Sequence, residues 1–140
     1  MSPEISNTFS PDATFVAGAQ TFESTFAKPA QSFIDTVDAM APGFGHLIVE
    51  MEFGNIYNRS GLALKTRELI IIASCATLGE TGFGAVRMHV GAALRAGATH
   101  AEIVETLVQV SMSAGLPTAL GALQVVHEVF SEMAPAPHQP

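Results

Sequence analysis

The apolar residues of this chain recur at helical spacing, and this periodicity limits the fold more than any other feature. Phe33, Val37 and Met40 share one stripe, which is the pattern of an amphipathic helix. No segment alternates between apolar and polar residues with period two for long enough to predict a strand. The sequence therefore predicts an all-α fold.

Prolines and glycines divide the periodic region into short segments. Pro29 and Pro117 favour helix starts, because proline suits the first turn, and Gly79 favours a helix end. Thr99, with Glu102 three residues later, has the spacing of a capping box. These signals predict a single-domain bundle of about six helices. The predicted helices cover residues 29–40, 44–57, 64–78, about 82–95, 100–114 and 117–133.

The two ends of the chain differ from this helical region. Residues 1–15 are polar and are predicted to form a flexible arm, and residues 134–140 are proline-rich and are predicted to form a flexible tail. One helical domain is therefore predicted for residues 16–133. A chain of 140 residues is long enough for one core but not for two.

Composition and charge restrict the partners. An apolar fraction of 48% with 14% charged residues is high for a small monomer, so we expect a homo-oligomer that buries part of this surface. The longest apolar run, residues 69–79, is too short to cross a bilayer. A net charge of −7 argues against nucleic acid. The absence of an export signal and the single cysteine, Cys75, predict a cytoplasmic protein.

Motifs for metals and cofactors are missing from the sequence. There is no His-Glu-x-x-His motif, no cysteine pair and no calcium loop. His46 and Glu50 lie one turn apart, but such a pair is common by chance. The glycines near Gly82 do not complete a dinucleotide fingerprint. We therefore predict no metal and no cofactor.

Glu68 begins an apolar stripe on the third predicted helix, followed at helical spacing by Ile71, Ile72 and Cys75. A carboxylate that faces a core is costly unless it is paired or protonated. Two interpretations stay open at this point. One is a structural charge at the helix start, in water or paired with a nearby basic residue such as Arg67; the other is an acid/base group perturbed by burial.

His89 lies on a stripe of small apolar residues on the fourth predicted helix. Its neighbours on that stripe are Ala85, Val86, Ala92, Ala93 and Ala96. Small side chains leave room around an imidazole, as a pocket requires, although a helical histidine taken alone is more often a satisfied core or interface residue.

Basic residues are scarce, and half of them are clustered. Arg59, Lys65 and Arg67 fall within nine positions. An arginine fork can bind a substrate carboxylate in bidentate fashion. The same cluster can instead pair with nearby glutamates, which are Glu50, Glu52 and Glu68.

Two stretches of the chain resemble the carboxymuconolactone decarboxylase family. They are 53-FGNIYNRSGLALKTRELIIIASCATLG-79 and 88-MHVGAALRAGATHAEIVETLVQVSMSAGLPTAL-120. The most specific pieces are GLALKTRELI, the helix end H-x-x-x-A-L-x-A-G, EIVETLVQ and AGLP, which occur in order and at the expected separations.

The resemblance implies an alkyl hydroperoxidase D-like helical fold that assembles into a ring-like trimer or hexamer. It also implies cofactor-free removal of CO2 from a small carboxylated lactone or oxo acid, in a cleft lined by the helices that bear Glu68 and His89. His89 is then the candidate acid or oxyanion donor, and Glu68 its partner or a proton shuttle. The candidate substrate-binding residues are Arg59, Arg67, Tyr57 and Cys75.

A second branch of the family reduces peroxides with a C-x-x-C pair just before the histidine. Here Gly82 and Ala85 occupy the two cysteine positions, so the disulfide step of a thiol peroxidase cannot occur. The segments 84-GAVRMH-89 and 113-SAGLPT-118 also depart from many decarboxylase members. A lactone hydrolase or isomerase and a non-catalytic ligand-binding oligomer therefore remain alternatives to the decarboxylase.

Overall fold

A computed structural model describes residues 11–135, and every regular element in this range is a helix. The elements are α1 (Pro11–Phe26), α2 (Ala30–Asp38), α3 (Phe44–Ile48), a π-helix (Val49–Ile56), α4 (Leu64–Ala76), α5 (Glu80–Arg95), α6 (His100–Ala114) and α7 (Leu116–Met133). The predicted all-α class is confirmed. None of these helices is long and apolar enough to cross a membrane.

Helix α1 corrects the prediction for the N-terminal region. It begins at Pro11, so residues 11–15 are helical and do not belong to a flexible arm. Packing explains the difference: Phe22 and Phe26 are buried, and both rings contact Phe53 of the π-helix. Residues 1–10 and 136–140, which hold the rest of the predicted arm and most of the predicted tail, lie outside the described residues.

The chain divides into two compact units between Gly61 and Leu62, and the predicted domain 16–133 spans both. The first unit contains α1, α2, α3 and the π-helix. Residues 44–57, predicted as one helix, are helical, but hydrogen bonding changes register at Val49. The N–H of Tyr57 accordingly donates to the carbonyl of Glu52, five residues earlier, at 2.8 Å.

The second unit contains α4 to α7, packed around one aliphatic core. The largest buried core residues are Ile72, Val86, Val90, Ile103, Leu107 and Val126. Two predicted helix starts are confirmed: Thr99 and Glu102 form a capping box on α6, and Pro117 lies in the first turn of α7. Gly79, at φ 67°, is the N-cap of α5, whereas α4 already ends at Ala76, before the predicted end at Gly79.

Glu102 also ties the start of α6 to the start of α4. One carboxylate oxygen accepts a hydrogen bond from the Thr99 N–H at 3.0 Å, and the other accepts one from Lys65 Nζ at 3.1 Å. The Thr99 hydrogen bond, followed by the Lys65 hydrogen bond and charge, lowers the pKa of Glu102 below its ordinary value of 4.5.

This lowered pKa predicts a pH-dependent contribution to stability. The contribution is present above the unfolded-state pKa of the carboxyl and is lost as the pH falls through the lower folded-state pKa. Glu102→Gln should therefore be less stable than the wild type near neutral pH, and the two should converge in acid. Urea unfolding across the acidic range measures this. Glu105→Gln, which removes an exposed carboxylate from the same helix, is the control. A difference in unfolding free energy between the wild type and Glu102→Gln that does not vary with pH would contradict the assignment.

Candidate active site

Glu68 and His89 meet in the interior of the second unit. Nδ1 of His89 lies 2.7 Å from Oε2 of Glu68. The Glu68 side chain is 0% exposed and the His89 side chain is 7% exposed. The two residues that the sequence singled out for acid/base chemistry are therefore partners within one chain.

The helix faces explain why this pair forms. On α4, Glu68 lies on the same buried face as Ile72 and Ala76, as the apolar stripe predicts. On α5, His89 is buried beside Val86 and Val90. Because α4 packs against α5, the two polar side chains are brought together where these apolar faces meet.

Two details of the sequence interpretation change. Helix α4 begins at Leu64, so Glu68 lies in its second turn and not in the first turn where the helix dipole is strongest. The small-residue stripe around His89 is only partly internal: Ala92 and Ala93 are buried, whereas Ala85 and Ala96 are half-buried.

Burial makes the Glu68–His89 contact important for the charge balance of the core. A carboxylate removed from water costs several kcal/mol unless other groups compensate it. Nδ1–H of His89 can donate to the carboxylate oxygen, and this hydrogen bond fixes both the tautomer and the orientation of the ring. The second ring nitrogen, Nε2, is then the atom through which the imidazole can give or take a proton. This arrangement is that of a general acid/base held by a carboxylate.

The predicted substrate-binding residues are distributed over both units. Arg67 and Cys75 lie on α4, where both are half-buried. Tyr57 and Arg59 belong to the first unit: Tyr57 is buried against Phe53, with ring centroids 4.8 Å apart, and Arg59 is exposed. Their roles in substrate binding remain predictions.

Gly82 lies at a close crossing between the end of α4 and the start of α5. A Cβ atom at this position would lie 1.8 Å from the carbonyl oxygen of Cys75 and 3.1 Å from Cβ of Leu78. Any side chain larger than hydrogen therefore collides with backbone. The family resemblance implies a cysteine at this position in the peroxide-reducing branch, and the structure gives a steric reason for glycine in this chain.

An open groove with a volume of about 740 Å³ lies between α4 and α6. Neither Glu68 nor His89 lines it. The residues of this groove from α4 and its C-cap are Leu69, Ile70, Ala73, Ser74 and Thr77, and those from α6 are Glu102, Glu105, Thr106, Gln109, Val110 and Ser113. The pairing of α4 with α6 creates it, and no local sequence signal marks that pairing.

The side chains of residues 11–135 form no group of three or more His, Cys, Asp or Glu residues suited to a metal ion. His46 and Glu50, the pair noted in the sequence, lie within ion-pair distance but not hydrogen-bond distance, with 3.7 Å between Nε2 of His46 and Oε2 of Glu50. The imidazole of His46 also stacks on Phe15, with ring centroids 3.9 Å apart. This histidine has a packing role at the surface of the first unit.

Comparison with known proteins agrees with the resemblance seen in the motifs. The chain is 39% identical over 107 residues to an uncharacterized 15.0 kDa protein from the nqo9–nqo10 intergenic region of Paracoccus denitrificans. This match covers 75% of this chain and 80% of that protein. It is 33% identical over 112 residues to 4-carboxymuconolactone decarboxylase of Acinetobacter baylyi, covering 80% of this chain and 82% of the relative. The model of the carboxymuconolactone decarboxylase family matches residues 42–128. Since this match includes both Glu68 and His89 and more than half of the sequence, the chain belongs to the carboxymuconolactone decarboxylase family.

Proposed function

We propose that the protein is a cofactor-independent decarboxylase of a small carboxylated lactone or oxo acid, with His89 and Glu68 as its acid/base pair. The observation that carries the proposal is the buried 2.7 Å contact between these two residues. Family membership and the 33% identical decarboxylase relative support the reaction class.

The reaction requires a place for the electrons left behind by CO2. The bond from the ring carbon to the carboxylate breaks, and its electron pair moves through the unsaturated system onto the carbonyl oxygen. The resulting oxyanion then collapses as a proton is delivered to carbon. A well-placed hydrogen-bond donor to such an oxyanion contributes about 3 to 4 kcal/mol, and proton delivery contributes about 100- to 10,000-fold in rate.

His89 can supply both functions through Nε2, either as the donor to the oxyanion or as the acid. Glu68 is fully buried, which favours its role as the partner of His89 over that of a shuttle in contact with substrate. By holding Nδ1–H, the carboxylate orients the ring and stabilises the imidazolium form when it occurs. Arg59 and Arg67 remain the candidates for binding a substrate carboxylate, because a guanidinium matches that group geometrically.

We further propose that the protein acts as a cytoplasmic homo-oligomer, a trimer or hexamer. Several large apolar side chains are exposed in the isolated chain, and the strongest cases are Met112 at 80%, Met40 at 77% and Leu116 at 68%. An assembly would remove such surface from water. Sedimentation of the purified protein tests the proposed stoichiometry.

The proposed reaction is tested by coupling substrate loss to CO2 release. Purified protein is incubated with 4-carboxymuconolactone, other carboxylated lactones and 3-oxo acids, and CO2 and the organic product are measured together. We expect one CO2 for each substrate consumed, above the spontaneous rate. Substrate loss without CO2 would point to a hydrolase or isomerase, and binding without turnover would point to a ligand-binding protein; either result overturns the decarboxylase proposal.

A further inference from the structure

The groove between α4 and α6 has the dimensions of a ligand site and is separate from the Glu68–His89 pair. Its volume of about 740 Å³ falls within the range of about 300 to 1,000 Å³ that is usual for small-molecule sites. From Glu102 to Ser113, the α6 wall is about 16 Å long at the helical rise of 1.5 Å per residue. Its shape suits an extended molecule.

The inner surface of the groove is apolar. Leu69 and Ala73 of α4 pack against the buried core of the second unit, and Val110 of α6 is part of that core. Ile70 extends the apolar surface outward and is 48% exposed. Covering this surface with a hydrocarbon chain would remove it from water.

The charge at the edge of the groove is acidic. Glu102 is compensated by Lys65 and by the capping hydrogen bonds of α6. Glu105, one turn further along α6, is exposed, and among residues 11–135 it has no ion-pair or hydrogen-bond partner. The groove therefore combines an apolar floor with one uncompensated carboxylate.

From this combination we propose that the groove binds an amphiphilic amine, with the alkyl or aryl body on Leu69, Ala73 and Val110 and the ammonium group at Glu105. A fatty acid is disfavoured, because its carboxylate would face Glu105. A second copy of the chain docked face to face on the same groove would also bring like charges together. The site does not depend on the proposed reaction, and a ligand could bind whether or not the protein decarboxylates anything.

Calorimetric titration with decylammonium and decanoate below their micellar concentrations, and with decanol below its solubility limit, tests the site. We expect decylammonium to bind about tenfold more tightly than decanoate. At the exposed Glu105 carboxylate the ammonium group is attracted and the decanoate carboxylate is repelled, and the two effects add. Decanol should fall between them, since it shares only the apolar body. Circular dichroism of the titrated samples checks that the helices persist.

Two variants and one control locate the binding. Glu105→Gln should bring decylammonium and decanoate to within about twofold of each other. Ser74→Phe, at an exposed position on the groove wall, should weaken all three ligands by filling the space. Glu80→Gln removes an exposed carboxylate of the same unit that does not line the groove, and it should change nothing. Absence of binding, or a preference for the amine that survives Glu105→Gln, would overturn the proposal.

Discussion

Replacing His89 by glutamine is expected to lower the rate of CO2 release by about 100- to 10,000-fold, the range for loss of a positioned acid/base group. Glutamine is chosen because its amide N–H can still donate to the Glu68 carboxylate. His89→Ala would instead remove the contact that the buried Glu68 makes with Nδ1, and breaking a buried pair costs about 3 to 5 kcal/mol of stability. The glutamine variant thus separates a loss of chemistry from a loss of fold.

The matched control for this variant is His127→Gln. His127 lies on α7 and is exposed, so the same change of side chain there should leave both CO2 release and unfolding unaffected. Steady-state turnover and urea unfolding are measured on all three proteins. Wild-type turnover in a folded His89→Gln protein would show that the reaction takes place elsewhere.

Glu68→Gln completes the test of the pair. The amide oxygen can still accept from Nδ1–H, but it carries no charge to stabilise an imidazolium. If Glu68 acts through His89, the double variant should be about as slow as the slower single variant, because groups that work as a unit have non-additive effects. Losses that multiply in the double variant would instead mean that each residue acts on the substrate separately.

Most of the helices, and the candidate acid/base residues, could be predicted from the sequence because both predictions depend on local spacing. The capping box at Thr99 and the buried face that places Glu68 beside Ile72 follow from residues three or four positions apart. The predicted pair gained its geometry only from the structure. No spacing along the chain could show that a carboxylate on α4 and an imidazole on α5 lie 2.7 Å apart.

What the sequence missed depends on contacts between distant segments. The polar composition of residues 1–15 predicts an arm that includes the start of α1, but Phe22 and Phe26 of this helix contact Phe53 in another helix. The π-helical hydrogen bonding that begins at Val49 and the groove between α4 and α6 also arise from packing. In each case the local structure is set by tertiary contacts and not by local composition.

Gly82 gives the second large effect, this time on stability. Gly82→Ala should reduce the free energy of unfolding by about 3 kcal/mol or more, since the new Cβ would collide with backbone atoms that cannot rotate away. The colliding atoms belong to Cys75, whose carbonyl oxygen would lie 1.8 Å from that Cβ. To accept it, the end of α4 must move away from α5. Urea unfolding of the purified variant measures the loss.

Gly84→Ala is the control, in the same helix and two residues away. Apart from its chain neighbours and the backbone of its own helix, no atom lies within 4 Å of a Cβ built at Gly84, so alanine there should be neutral or should stabilise α5 by about 0.5 to 1 kcal/mol through its better helix propensity. Equal stability of the Gly82→Ala and Gly84→Ala proteins would contradict the close crossing.

The same crossing determines whether thiol chemistry can be added to this chain. Ala85 is half-buried and should accept cysteine with little loss of stability. Gly82→Cys should be at least as destabilising as Gly82→Ala, because it adds a sulfur to the Cβ that already collides. A disulfide between the two positions would then form in a protein whose α4–α5 contact is disturbed, and that contact holds Glu68 against His89. Unfolding measurements on Gly82→Cys and Ala85→Cys separately should therefore show a large loss for the first and a small one for the second. Equal losses would mean that the backbone near Cys75 can yield, and that steric exclusion is not what keeps glycine at position 82.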